Sequence, residues 1–381
     1  MFELKTNTIF GPGSSKNIGE IISADGRKAV ALFVDSAIIK TSAIAEVIEH
    51  IKKGCDLVKV FENAVAEPDY DYLESVRSGF SGLSVDYIIA IGGGSTMDLA
   101  KGIAVLLNNP GKALEYRGFD KVKKSAVPIV AVPTTAGTGS EVTPNASFID
   151  NKEGRKLGIN TEYITPKYAI LDPVLIVSCP RGVTVSSGMD VLVHCIESFV
   201  SKQATPLSRE FSRIAFQLAF NSLEKNVSAP NDLDARGKTL LASHYAGISI
   251  MLAGGGPSAG MSYPLGVFHK VPHGMAGAVF LPKVIESNVS RGFLGYSELH
   301  DLIDGVEKDI SVKEKNLRFS KEMYRLCESL GVPKKLNGFG VNETNVKLII
   351  NDIMTNMKGS LQQNPIEFGE KEVEKILYSM I

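Results

Sequence analysis

The chain has no closely spaced pair of cysteines. Cys55, Cys179, Cys195 and Cys327 are scattered over its 381 residues. Neither a disulfide framework nor a zinc–thiolate site is expected, and reduced thiols in a cytoplasmic protein are the default. Charge of one sign is not in excess either. Lys plus Arg number 41 and Asp plus Glu 42, a net charge of −1. That balance gives no electrostatic case for nucleic acid or an anionic membrane as partner. No apolar run is long enough to span a bilayer. The opening MFELKTNTIF lacks the basic and apolar regions of a signal peptide, so none is expected. Histidine is scarce, six in all, and three of them, His194, His269 and His273, fall near motif-like segments of the second half.

What is present is ordinary globular composition, 44% hydrophobic and 22% charged, at a length that favours two domains. The first half alternates strand and helix signals. Apolar, partly β-branched runs at 29–35, 57–61, 87–91, 128–133 and 168–173 are separated by helical periodicity at 43–52 and 71–80. The segment KTNTIFGPGS reads as an added strand and turn ahead of them. This order predicts an α/β N-terminal domain built on a parallel sheet with helices on both faces. From about Pro180 the strand signals nearly vanish, and helices are predicted over 188–201, 208–223, 234–252 and 312–330. We therefore expect an α/β domain at 1–180 and an all-helical domain at 181–381. Such a pairing is expected to offer a ligand cleft.

The segment IGGGSTMDLAKGIAVLL (91–107) places three glycines between a buried strand and a helix. Glycine permits φ > 0 and close approach of backbone to a ligand. Ser95 is expected to cap the helix, with Asp98 as its capping-box partner. The free N–H groups of the first turn would then face an anion such as a pyrophosphate. The pattern is neither GxGxxG nor a P-loop. A plain glycine turn is the alternative, and the phosphate reading is favoured because strand ends of this kind bind ligands in open α/β sheets. A second loop, VPTTAGTGSEVT, offers the hydroxyls of Thr134, Thr135, Thr138 and Ser140 in the same setting. Alone it is as well read as a solvated turn. Asp35, ending the second strand, is equally well a turn residue or a carboxylate that accepts from a ribose 2′-OH and repels a 2′-phosphate.

In SGMDVLVHCIES, Asp190 and His194 are four apart and share one helix face. They make half a site for a divalent metal, though by themselves they are more simply an i,i+4 polar pair. The motifs GGGSTMDLAK, PTTAGTGSE, YAILDP, GMDVLVHCIES and YPLGVFHKVPHG together resemble the iron-containing (group III) alcohol dehydrogenases, in that family's order and over nearly the whole chain. The resemblance implies NAD or NADP as cofactor, a divalent metal (Fe²⁺ or Zn²⁺), hydride transfer to or from a small alcohol or aldehyde, and a homodimer. It implies cofactor contacts at Asp35, Gly92, Gly93, Gly94, Ser95, Thr96, Asp98, Thr134, Thr135, Thr138, Ser140 and Lys156. It implies metal ligands Asp190, His194 and His273, with His269 and Tyr263 near the substrate as proton-relay candidates.

One ligand of the family is missing. A histidine is expected fourteen positions before His273, and Ala259 stands there. A methyl group cannot coordinate, so the metal is expected to be weaker or absent, although three protein ligands can hold a catalytic metal. NNPG, YRGFD, RKLGIN and SREFS bring the chain nearer to the 3-deoxy-manno-octulosonate 8-oxidase type, which implies a sugar-acid primary alcohol as substrate in surface-polysaccharide biosynthesis. The alternatives are a cyclising lyase of the dehydroquinate-synthase type and a nucleotide-binding relative without turnover.

Overall fold

Apolar residues on successive positions of one strand feed two different cores, and this parity builds the first unit. In the computed structural model, which describes residues 3–381, nine strands are formed: β1 (Asn7–Phe10), β2 (Ala29–Asp35), β3 (Asp56–Asn63), β4 (Tyr87–Gly92), β5 (Gly118–Phe119), β6 (Ile129–Pro133), β7 (Asn145–Asp150), β8 (Arg155–Asn160) and β9 (Tyr168–Leu171). The first two residues of the segment inspected for a leader lie outside the described residues. The helices of this unit are α1 (Ile18–Ala24), α2 (Ser42–Gly54), α3 (Tyr70–Ser78) and α4 (Gly94–Asn108). On β2, Val30, Leu32 and Val34 pack with Ile18, Ile22, Ile44 and Val47 of α1 and α2. The intervening Ala31 and Phe33 pack with Leu73, Val76, Leu99 and Ile103 of α3 and α4. A period of two across a sheet covered on both faces produces this division.

The large sheet has six strands in the order β1-β9-β6-β4-β2-β3, and every pairing is parallel. The α/β reading with a parallel sheet therefore stands. A second sheet, ordered β5-β8-β7, is an addition that the sequence reading lacked. Its core is an antiparallel hairpin of β7 and β8.

The chain divides into two compact units, Met1–Cys179 and Pro180–Ile381. The second has no strand among the described residues. It comprises α5 (Arg181–Val200), α6 (Pro206–Ser228), α7 (Leu233–Ala253), α8 (Pro257–His269), α9 (His273–Ser290), α10 (Ser297–His300), α11 (Val312–Leu330), α12 (Val346–Asn356), α13 (Lys358–Gln362) and α14 (Glu370–Ser379). By length and composition α5 is apolar enough to cross a membrane, yet 83% of its most apolar window is buried inside the protein, as in a core helix.

Candidate functional site

In the first unit, Gly93 caps α4 with φ −78° and, having no side chain, makes no side-chain capping bond. Ser95 lies inside the helix and makes no capping bond, which corrects the expected capping box. Asp98 is engaged elsewhere: its carboxylate accepts from Ser140 Oγ at 2.7 Å and from the Ser147 N–H at 2.9 Å. Of the two properties expected of the three glycines, positive φ is not used, since none of them has it. They allow close approach. A Cβ on Gly92 would stand 2.6 Å from Thr96 Cβ, and one on Gly94 2.7 Å from Thr138 Cγ2. The two loops are thus pressed together, and the Thr134 N–H donates to Gly92 O at 3.0 Å. The first-turn amides of Gly94 and Ser95 have no intrahelical acceptor, by the geometry of any helix N-terminus. Because Thr96 is β-branched and fully buried, Gly92→Ala should overpack the turn and cost about 1–3 kcal/mol. Urea unfolding would show this as a lower midpoint at unchanged slope.

Several residues expected to touch a cofactor have partners within the protein. Thr96 Oγ1 accepts from Asn63 Nδ2 at 3.1 Å. Thr138 Oγ1 accepts from the Ser140 N–H at 3.2 Å, and Thr135 Oγ1 would sit 3.3 Å from a Cβ on Gly93. Asp35 accepts from the Ala37 N–H at 2.9 Å, an Asx-type turn. Lys156, on β8, donates to Glu67 at 2.8 Å. The sequence reading missed Lys101. It is buried (1% exposed) and donates to Ser140 Oγ (3.0 Å), Thr143 O (2.8 Å) and Asn145 O (2.9 Å). Burial brings its ammonium pKa down to about 8, against the opposing pull of Asp98 and Glu141. Burial likewise pushes the Asp98 carboxyl up, opposed first by the Lys101 charge. The available signal was a lysine three positions after an aspartate within an otherwise apolar helix.

The second unit holds the other cluster. Asp190 and His194 project from one face of α5, both buried, with His194 Nε2 3.5 Å from Asp190 Oδ1. His273 opens α9, and its Nε2 lies 4.0 Å from the same oxygen. Gly274 makes this possible: a Cβ there would be 2.2 Å from Ser186 O and 2.9 Å from Asp190 Cβ, so only glycine lets α9 start so close to α5. One ligand atom from each of Asp190, His194 and His273 lies within 4.8 Å of the others. This donor set, one carboxylate and two imidazoles, fits a divalent cation. His194 Nδ1 is buried without a hydrogen-bond partner.

Around the cluster, the Tyr263 ring meets the His273 ring edge-on, centroids 5.2 Å apart. His269 is not among the converging ligands. It ends α8, and its Nδ1 is 3.6 Å from where a Cβ would stand on Gly340. Ala259 lies in the first turn of α8, 8% exposed. Its N–H donates to Glu197 at 3.2 Å, and Glu197 also accepts from Gly256 N (2.7 Å) and Ser258 N (2.5 Å). Glu197 sits three residues beyond His194 on α5. Burial pushes its carboxyl up, opposed by these hydrogen bonds at the α8 N-terminus. The sequence reading missed it too, although an acidic residue in so apolar a helix was a visible signal.

Comparison with known proteins covers both units. A model of the iron-containing alcohol dehydrogenases matches residues 5–173, and one for the C-terminal part of the Fe-containing alcohol dehydrogenase family matches residues 184–381. The NAD-dependent methanol dehydrogenase of Bacillus methanolicus is 30% identical over 376 residues, covering 99% of this chain and 98% of that protein. The crystal structure of a 1,3-propanediol oxidoreductase superposes with a TM-score of 0.94 at 28% identity, covering 100% of each chain. The sulfoacetaldehyde reductase of Bifidobacterium kashiwanohense, solved with NAD⁺, gives 0.89 at 26% identity, covering 100% of this chain and 98% of that one. With both halves matched and relatives aligned over nearly their full length, the likeness first read from five short motifs extends to the entire molecule: this chain belongs to the iron-containing alcohol dehydrogenase family.

Proposed function

We propose that this alcohol dehydrogenase-type oxidoreductase uses NAD in preference to NADP and holds a divalent metal on three residues, Asp190, His194 and His273. The convergence of their ligand atoms within 4.8 Å carries the reading. When bound, the metal supplies Lewis-acid polarisation of an alcohol or carbonyl oxygen, and the nicotinamide supplies or accepts the hydride. The chain's own residues do the rest. The turn at Gly92–Gly94 and the first-turn amides of α4 bind the pyrophosphate. Asp35 meets the ribose, and its charge disfavours a 2′-phosphate. Lys156, Thr135 and Thr138 border the nucleotide. Tyr263, in contact with His273, orients the substrate oxygen, and His269 passes the proton on to solvent.

The finer substrate reading is a sugar-acid primary alcohol, supported by the segments NNPG, YRGFD and RKLGIN. A small unbranched alcohol or aldehyde is favoured instead by the relatives, a methanol dehydrogenase and a 1,3-propanediol oxidoreductase. The chain acts as a homodimer in this reading. The test is NADH and NADPH oxidation against a panel of aldehydes, including an eight-carbon aldehydo-sugar acid, after chelation and after readdition of Fe²⁺ or Zn²⁺. Turnover restored by metal supports the proposal, full turnover in chelator removes the metal from it, and no turnover on any aldehyde ends it.

Position 259 gives a second test. Ala259→His should add a fourth ligand and tighten Zn²⁺ about 10–100-fold, the scale on which a single coordination-sphere change acts. A competition titration with a chromophoric chelator reads it directly. Unchanged affinity would mean that residue 259 does not face the cluster.

A further inference from the structure

We infer that Ser262 is a positioning residue for the metal cluster: its hydroxyl fixes which nitrogen of His273 carries the proton and so turns the other, Nε2, into the ligand. The inference deepens the metal reading above and rests on it.

Ser262 is fully buried on α8. Its Oγ is 2.6 Å from the carbonyl oxygen of Ala259 and 3.0 Å from His273 Nδ1. A carbonyl oxygen can only accept, so the single hydroxyl proton is committed to Ala259. The contact with the ring must then be donated by the imidazole. That makes His273 the Nδ1–H tautomer and leaves the lone pair on Nε2, the atom that lies 4.0 Å from Asp190 Oδ1. Metal-binding histidines generally have the second ring nitrogen held this way by a carboxylate, carbonyl or water. Here a serine hydroxyl does so, and it is itself oriented by a main-chain carbonyl.

The arrangement gives residue 259 a role despite its inert side chain. Its N–H is held by Glu197, and its C=O orients Ser262. With two imidazoles in the donor set, the tautomer of each weighs heavily. A ring flipped to the Nε2–H form would present a proton toward Asp190 and the ion.

The experiment is a long-range ¹H–¹⁵N spectrum of metal-stripped protein labelled at histidine, six residues per chain, at a pH above the ordinary histidine range. A parallel Zn²⁺ competition titration and an NAD⁺ titration complete it. Wild type should show His273 as Nδ1–H. Ser262→Ala should move it toward Nε2–H and weaken Zn²⁺ about 10–100-fold, with NAD⁺ affinity unchanged. Ser262→Thr, which keeps the hydroxyl, should restore both readouts.

An Nε2–H signal for His273 in wild type overturns the inference. So does a Ser262→Ala protein with an unaltered tautomer, or with unaltered Zn²⁺ affinity. Should Ser262→Ala fail to fold, the wild-type and Ser262→Thr spectra decide. If wild type binds no Zn²⁺ at all, the metal reading fails, while the tautomer of the metal-free ring still decides for or against Ser262.

Discussion

Asp190→Asn should lower kcat/KM, measured with metal supplied, by about 10³-fold, the several kcal/mol that Lewis-acid polarisation supplies. The same change should leave the metal-free protein at least as stable as wild type. The two effects have one cause. Asp190 is 3% exposed, and the nearest charge-compensating groups on either side are imidazoles at 3.5 and 4.0 Å. A buried carboxylate without a cation is a cost to folding, and the isosteric amide removes it. Thermal melts with and without Zn²⁺ separate the two. Zn²⁺ should raise the wild-type midpoint by mass action and leave that of Asp190→Asn in place. NAD⁺ affinity should be the same in both proteins, because no nucleotide contact has been altered. Turnover at the wild-type level in Asp190→Asn would sink the assignment of Asp190 as a ligand.

Lys101→Met should cost about 3–5 kcal/mol, the range for breaking a buried charged network from one side. The methionine fills the space, but it leaves the carbonyls of Thr143 and Asn145 without their donor and Asp98 without its nearest positive charge. Urea unfolding at neutral pH gives the loss. The pH dependence gives a sharper check. Below pH about 8 the ammonium is charged in both the folded and the unfolded chain, so the cost of burying it is fully felt. Between about 8 and the ordinary lysine value of 10.5 the folded chain has released a proton that the unfolded chain still holds. Over that window the contribution of this group to stability rises with pH, and above it the rise ends. The difference in unfolding free energy, wild type minus Lys101→Met, should therefore grow from pH 8 to 10.5. A flat difference would show that Lys101 titrates normally.

Much of the fold was legible because its signals are local. The apolar run 29–35 coincides with β2, and the periodic stretch 312–330 with α11. What escaped depends on contacts remote in sequence or on residues that mimic loops. The hairpin of β7 and β8 encloses NKEG, a turn, between strands whose alternation is interrupted by polar residues on the paired face. Helices α8 and α9 each contain an internal proline, Pro264 and Pro282, and α8 follows three glycines, so their sequence reads as irregular. Proline in mid-helix forfeits one hydrogen bond, a loss that burial of the surrounding residues outweighs.

The site divides in the same way. The pair Asp190 and His194 was visible as i,i+4 spacing on one helix. Serine and aspartate at 95 and 98 fit a capping box by spacing, yet Asp98 bonds to Ser140 and Ser147, 42 and 49 residues away. No local rule anticipates that. Glu197 acts through main-chain N–H groups at the start of α8, and Ser262 through the ring of His273 on α9, pairings that composition and periodicity do not register.

The three hydrogen bonds that Glu197 accepts from the N–H groups of Gly256, Ser258 and Ala259 have a consequence for substitution at position 259. They tie the main chain at the start of α8 to the same helix that bears Asp190 and His194, whatever side chain residue 259 has. A side chain introduced at 259 meets a main chain that is already held. Ala259→His should therefore leave the Glu197 hydrogen bonds in place, so that a gain in metal affinity is read without a change in the framework.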